Sequence, residues 1–165
     1  MTTDFARTDT VLALTGSWSA DWLWGVPLIV LTVVVHGFGL VEIRERLLGP
    51  LAAAFGAGLS RTAFAWVVAA TVLMVTMLHA IEGGAWAVAY IALGASPDPR
   101  VAMLYSLSAM TSYGHANIFL EPHWQMMGAL EALNGMMLFG LTTAFLFSVL
   151  SSHWPALARS GKRDR

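Results

Sequence analysis

Three long and strongly apolar stretches without a charged residue constrain this chain more than any other feature. No Asp, Glu, Lys or Arg occurs within residues 22–41, 62–81 or 132–158. A helix needs about 20 consecutive apolar residues to cross a bilayer, so each stretch is long enough. The composition agrees, because 57% of the residues are hydrophobic and only 12% are charged. The sequence therefore predicts an all-α membrane protein with three transmembrane helices.

The segment between the second and third stretches is too polar to cross a membrane and too apolar to be an ordinary loop. It reads LYSLSAMTSYGHANIFLEPHW over residues 104–124. Asp98 and Pro99 are suitable residues to begin a short helix, and Gly114 and Ala116 follow in a small-residue stretch. Irregular backbone at membrane depth persists only inside protein or beside a water-filled cavity. We therefore expect a re-entrant pore helix and a filter loop, whose carbonyl groups replace an ion's hydration shell.

The positive charges predict the topology. One cluster lies between the first two spans, and a second lies at the end of the chain: Arg44, Arg46 and Arg61, then Arg159, Lys162, Arg163 and Arg165. Both clusters should be cytoplasmic, so an even number of crossings separates them. The segment 94–124 must then enter and leave from outside. We expect an integral protein of a bacterial plasma membrane, with the N-terminus outside and the C-terminus cytoplasmic.

The loop and the following helix resemble the tetrameric potassium-channel family, in its small bacterial form with one pore loop per subunit. The family's TTVGYGD pattern falls on seven consecutive residues: Thr111, Ser112, Tyr113, Gly114, His115, Ala116 and Asn117. GMMLFGLTTAFL, over residues 135–146, resembles the inner helix, with Gly135 at its hinge position. The resemblance covers about Arg61 to Ser152. Tyr113, His115 and Ala116 depart from the pattern.

This resemblance implies a passive cation channel rather than an enzyme. One loop cannot enclose a pore, so the resemblance implies a four-fold homotetramer. K⁺ or Na⁺ would be the permeant ion, and we expect no cofactor and no other metal. Self-association and membrane lipid are the expected partners. Nucleic acid is not expected at a net charge of −1, and the absence of cysteine excludes thiolate chemistry.

The predicted organisation has five segments. Residues 1–21 form an external N-terminal segment, 22–42 the first transmembrane helix, and 43–60 a cytoplasmic loop. Residues 61–152 form the pore domain, with an outer helix at 61–95, the pore helix and filter at 100–117, and an inner helix at 124–152. Residues 153–165 form a basic cytoplasmic tail.

Several polar residues are candidates for supporting the filter or lining the pore. His79 and Glu82 share one helix face, and with Glu131 they predict a polar bracket between the outer and inner helices. Ser108 stands where some family members carry a buried acid. His115 is expected to pack behind the filter, although a ring of four could also sense pH or bind an ion. Candidate polar residues of the inner cavity follow on the third span: Thr142, Thr143 and Ser148.

Two other classes of protein stay open. The departures from the family pattern allow a non-conducting or regulatory channel-like subunit. A membrane redox protein could instead hold haem between His36 and His79. Counting residues from the cytoplasmic ends of their spans separates these histidines by roughly 18 Å in depth, at about 1.5 Å per residue. That difference argues against a shared haem and favours close helix contact at His36, Gly37 and Gly39.

Overall fold

All regular structure among the described residues is helical. The computed structural model describes residues 2–50, 60–114 and 118–163, with side chains described for 18–50, 60–114 and 118–152. The helices are α1 (Thr2–Glu42), α2 (Arg61–Ala92), α3 (Pro99–Met110) and α4 (Gln125–Arg163). A π-helical stretch, Ile43–Leu48, follows α1, and a 3-10 turn, Pro122–Trp124, precedes α4. Within these described ranges no strand is present.

Three of the helices are long and apolar enough to cross a membrane. These stretches are Trp18–Leu48, Arg61–Ala92 and Pro122–Ser152. Large apolar side chains remain exposed along all three, for example Phe38, Trp66 and Phe147. A soluble protein rarely exposes so many, whereas lipid solvates them without cost. The prediction of an all-helical chain with three helices long and apolar enough to span a membrane is confirmed for the described residues.

The remaining helix, α3, is short and has a defined beginning. Asp98 has an extended backbone, and its Oδ1 accepts the backbone N–H groups of Arg100 at 2.7 Å and Val101 at 3.2 Å. Pro99 occupies the first helical turn, where its missing N–H costs nothing. Side-chain capping of this kind stabilises a helix by typically about 1 kcal/mol. The sequence signal at Asp98 and Pro99 thus marks the true beginning of α3.

The chain divides into two compact units. The first unit comprises Met1–Val33 and Ala80–Met137, so it contains α3 and the loop that follows it. Its core is rich in aromatic side chains, including Trp86, Tyr90 and Trp124. The carboxylate of Asp21 on α1 accepts a hydrogen bond from the backbone N–H of Met127. Because the first N–H groups of a helix have no partner within it, this contact satisfies one at the beginning of α4.

The second unit comprises Val34–His79 and Leu138–Arg165. Leu48, Val67 and Val149 form its apolar core, with Phe145 packed against them. Gly39 allows α1 and α2 to approach closely, since a Cβ there would lie 2.7 Å from a terminal methyl carbon of Leu78. No atom lies within 4 Å of the corresponding position at Gly37. The predicted close contact therefore depends on Gly39.

Candidate functional site

The loop that leaves α3 folds back onto the last turn of that helix. The backbone N–H groups of Tyr113 and Gly114 both donate to the carbonyl oxygen of Ser108, at 3.0 and 3.3 Å. A trans peptide group places its carbonyl opposite its N–H, and the described residues contain no cis bond. The carbonyls of Ser112 and Tyr113 therefore both point away from Ser108. Two consecutive carbonyl oxygens thus face away from the end of α3.

Two residues of this loop adopt left-handed backbone conformations. Gly114 has φ 67°, as expected for the glycine of the predicted filter. Ser112 has φ 55°, which its residue type does not predict. This conformation costs a residue with a Cβ of order 1 kcal/mol. The side chain of Ser108 is buried, and its hydroxyl donates to the carbonyl of Leu104 at 2.6 Å. The hydroxyl of Thr111 donates to the carbonyl of Leu107 at 2.7 Å.

The described part of the predicted filter ends at Gly114. His115, Ala116 and Asn117, the three remaining predicted filter residues, lie outside the described residues. An open cavity of about 390 Å³ adjoins the loop in the first unit. The residues that line this cavity include Ser108, Ser112, Gly114, Phe119 and Gly128.

Glycines on α4 bring that helix into contact with α3. A Cβ at Gly135 would lie 2.0 Å from the carbonyl oxygen of Met110, the last residue of α3. A Cβ at Gly128 would lie 2.0 Å from the hydroxyl of Tyr105. Neither position can hold a larger residue without movement of the backbone or of a packed ring. Gly135, predicted as a hinge, is therefore also the residue at which α4 passes the end of α3.

Glu131 connects three helices of the first unit. It is fully buried on α4, and its Oε2 accepts the hydroxyl of Tyr90 on α2 at 2.5 Å. Its Oε1 lies 2.5 Å from the hydroxyl oxygen of Ser106 on α3. That hydroxyl oxygen also lies 2.7 Å from the carbonyl oxygen of Gly83 on α2. Gly83 itself allows this approach, because a Cβ there would come within 3.3 Å of Leu107.

The number of protons in this network favours the neutral form of Glu131. A serine hydroxyl has one proton to donate, and a backbone carbonyl can only accept. If Ser106 donates to Gly83, the short contact between Ser106 and Glu131 needs a proton from the carboxyl group. A protonated Glu131 that donates to Ser106 and accepts from Tyr90 satisfies every contact. A buried carboxylate without a counter-charge would be costly, which agrees with this assignment.

A second polar contact lies one turn further along α4. Asn134 is buried, and its Nδ2 donates to Thr32 Oγ1 on α1 at 2.9 Å. Tyr90, Ser106, Thr32 and Asn134 were not predicted as site residues. A signal existed for part of the set, since Glu131 and Asn134 are three residues apart and share a helix face. The sequence held no indication of which residues would meet them.

The other predicted support residues do not all join this network. Glu82 is buried in the first unit, whereas His79 belongs to the second unit. There the ring of His79 stacks on Phe139 with centroids 4.6 Å apart. Of the predicted cavity residues, Thr143 is exposed and Ser148 is half-buried, but Thr142 is buried. Its hydroxyl lies 3.0 Å from Nε2 of His36.

The expected separation of His36 and His79 in depth is wrong. Their ring centroids lie 5.0 Å apart, with the ring planes at 80°. The helix continues beyond Glu42 as the π-helical stretch Ile43–Leu48, and these 6 residues account for about 9 Å, or about half, of the expected separation at about 1.5 Å per residue. The two rings meet edge to face, so a porphyrin plane has no space between them.

Comparison with known proteins gives no match to the chain among family models, curated proteins or solved structures.

Proposed function

We propose that this protein is a passive cation channel similar to potassium channels, in which the loops of four identical subunits surround one conduction axis. The observation that carries the proposal is that the N–H groups of Tyr113 and Gly114 both donate to the carbonyl of Ser108, so that the consecutive carbonyls of Ser112 and Tyr113 face away from the end of α3. An ion filter needs consecutive carbonyls on one side, because they replace the water molecules that a dehydrated ion loses.

The surroundings of the loop support the same proposal. Irregular backbone inside a membrane must be buried in protein or line a water-filled cavity. The loop follows a short capped helix, and it adjoins an open cavity in the single chain. Tyr113, at the centre of the loop, is 78% exposed. Further subunits around an axis would cover these surfaces and would make the loop a wall of the pore.

The Glu131 network would hold the loop in place. It joins α3 to α2 and α4 through buried hydrogen bonds, and the Ser108 carbonyl at the end of α3 holds the loop. Catalytic carboxylates need access to a substrate, whereas Glu131 is fully buried with both oxygens in short contacts. Its role in the proposal is positioning. The chain would have no enzymatic activity.

Flux of K⁺ and Na⁺ into liposomes containing the purified protein tests the proposal. Gly114→Ala should abolish or strongly reduce the flux, because φ 67° strains a residue with a Cβ. Gly84→Ala is the matched control, since no atom lies within 4 Å of its Cβ position in α2. Native mass spectrometry should give four subunits. A tetramer without flux would support the non-conducting channel-like alternative, and a stable monomer would refute the pore.

The order of selectivity is a separate part of the proposal. The family pattern has glycine where this chain has Ala116, and an aromatic residue where it has His115. We expect weaker discrimination of K⁺ from Na⁺ than in the family, because alanine resists a positive φ at the outer end of the filter. The double variant Ala116→Gly with His115→Tyr should raise the ratio of K⁺ to Na⁺ permeability. A native protein that already excludes Na⁺, and is unchanged by these substitutions, would contradict this mechanism.

A further inference from the structure

A cluster of polar side chains in the second unit is unexplained by ion conduction. His36 comes from α1, His79 from α2 and Thr142 from α4, and all three are buried. The imidazole centroids lie 5.0 Å apart, and Thr142 Oγ1 lies 3.0 Å from Nε2 of His36. Burying two imidazoles inside an apolar helix bundle is costly unless their ring nitrogens have partners. Each nitrogen therefore needs to be accounted for.

The hydrogen bonds of His79 fix its tautomer. Its Nδ1 lies 2.9 Å from the carbonyl oxygen of Val75, which can only accept, so Nδ1 carries the proton. In the neutral ring Nε2 then has a free lone pair. This Nε2 atom is buried and has no hydrogen-bond partner. A histidine that ligates a metal commonly donates its other N–H to a backbone carbonyl, which orients the ring in this way.

The second imidazole is close enough to share an ion with the first. The ligand nitrogens of His36 and His79 lie within 4.8 Å of each other. A tetrahedral zinc ion with Zn–N bonds of roughly 2.0–2.1 Å needs its two nitrogens about 3.3 Å apart. That separation lies within the 4.8 Å limit for the two side chains, so one ion can reach both nitrogens.

We propose that His36 and His79 bind one first-row transition-metal ion of the class that prefers imidazole, such as Zn²⁺, Cu²⁺ or Ni²⁺. His79 would use Nε2, His36 would use a ring nitrogen, and Thr142 or water would occupy a further position. The bound ion would join α1 to α2 in the second unit. This site is independent of the proposed filter, which lies in the first unit.

Metal titration of the tag-free, chelator-treated protein in detergent tests the proposal. Isothermal titration with Zn²⁺ should give one ion per chain, and Co²⁺ should produce the visible absorption of a low-coordinate nitrogen site. His79→Phe preserves a flat ring against Phe139 and should weaken binding at least about tenfold, since even changes outside the ligand set cost that much. His123→Phe is the matched control, because His123 is an exposed histidine of the first unit.

A second measurement needs no variant and guards against misfolding. The chain has five histidines, and in protein with ¹⁵N-labelled histidine Zn²⁺ should shift the ring signals of two of them. Loss of that response in the His79→Phe protein, with its retention in the His123→Phe protein, would complete the assignment. Wild-type protein that binds no ion, or binds one equally well after His79→Phe, would overturn the proposal. Neither readout depends on whether the protein conducts ions.

Discussion

Replacing Glu131 by glutamine should leave the protein almost as stable as the wild type, whereas alanine should destabilise it strongly. The expectation follows from the proton count in the network. A glutamine amide can donate to Ser106 and accept from Tyr90, as a protonated glutamic acid does. If Glu131 were ionised, Ser106 would donate to it, and glutamine would require that hydroxyl proton to turn to the carbonyl of Gly83. A glutamine variant that is almost as stable as the wild type is thus the result that a neutral Glu131 predicts.

The magnitudes can be worked from the contacts. Glu131→Ala leaves the buried hydroxyl of Tyr90 without a partner, which costs about 1–3 kcal/mol. The cavity left by the side chain adds a further penalty of about 1–2 kcal/mol. The hydroxyl of Ser106 keeps the carbonyl of Gly83 as an acceptor and adds little. We expect a loss of about 2–5 kcal/mol for alanine and less than about 1 kcal/mol for glutamine.

Thermal unfolding of the purified protein in one detergent gives the comparison, with liposome flux as a second readout. Tyr90→Phe is a useful third variant, because it removes one donor and leaves the rest of the network in place. Glu131→Gln should retain flux and Glu131→Ala should lose it. Equal damage from both substitutions would refute a neutral Glu131, and no damage from alanine would refute its role in positioning α3.

Three further predictions concern packing, capping and topology. Gly135→Ala should destabilise the protein by about 3 kcal/mol or more, because the new Cβ would lie 2.0 Å from a backbone carbonyl oxygen. Gly140→Ala is the control in thermal unfolding and should be neutral or slightly stabilising, because no atom lies within 4 Å of its Cβ position. Asp98→Ala should lower the free energy of unfolding by about 1 kcal/mol, and Asp98→Asn should lower it much less. Equal losses from the two variants would contradict the capping role. Single cysteines at Ser17 and Ser160 should label with an impermeant reagent from opposite sides of the membrane, and labelling from the same side would contradict the three-span topology.

The sequence alone determined the elements that depend on local chemistry. Charge-free stretches of sufficient length predict spans because the bilayer accepts few ionised groups. Asp98 and Pro99 mark the beginning of α3 because capping involves neighbouring residues. The positive φ at Gly114 also followed from residue type, since glycine alone adopts it without strain. Each of these features is decided within a few residues of chain.

The tertiary structure decided which distant residues meet. Glu131 was predicted to support the loop, but its partners Tyr90 and Ser106 lie 41 and 25 residues away, and no local pattern pairs them. The left-handed Ser112 is by contrast a local feature of the end of α3, because its N–H donates to the carbonyl of Ala109 and the N–H of Tyr113 donates to the carbonyl of Ser108, as at the C-termini of many helices. His36 and His79 meet although a count from the charges placed them at different depths, because the charges revealed neither the helical continuation Ile43–Leu48 nor the relative register of α1 and α2. Helix register and packing determine these contacts, and both are properties of the assembled bundle.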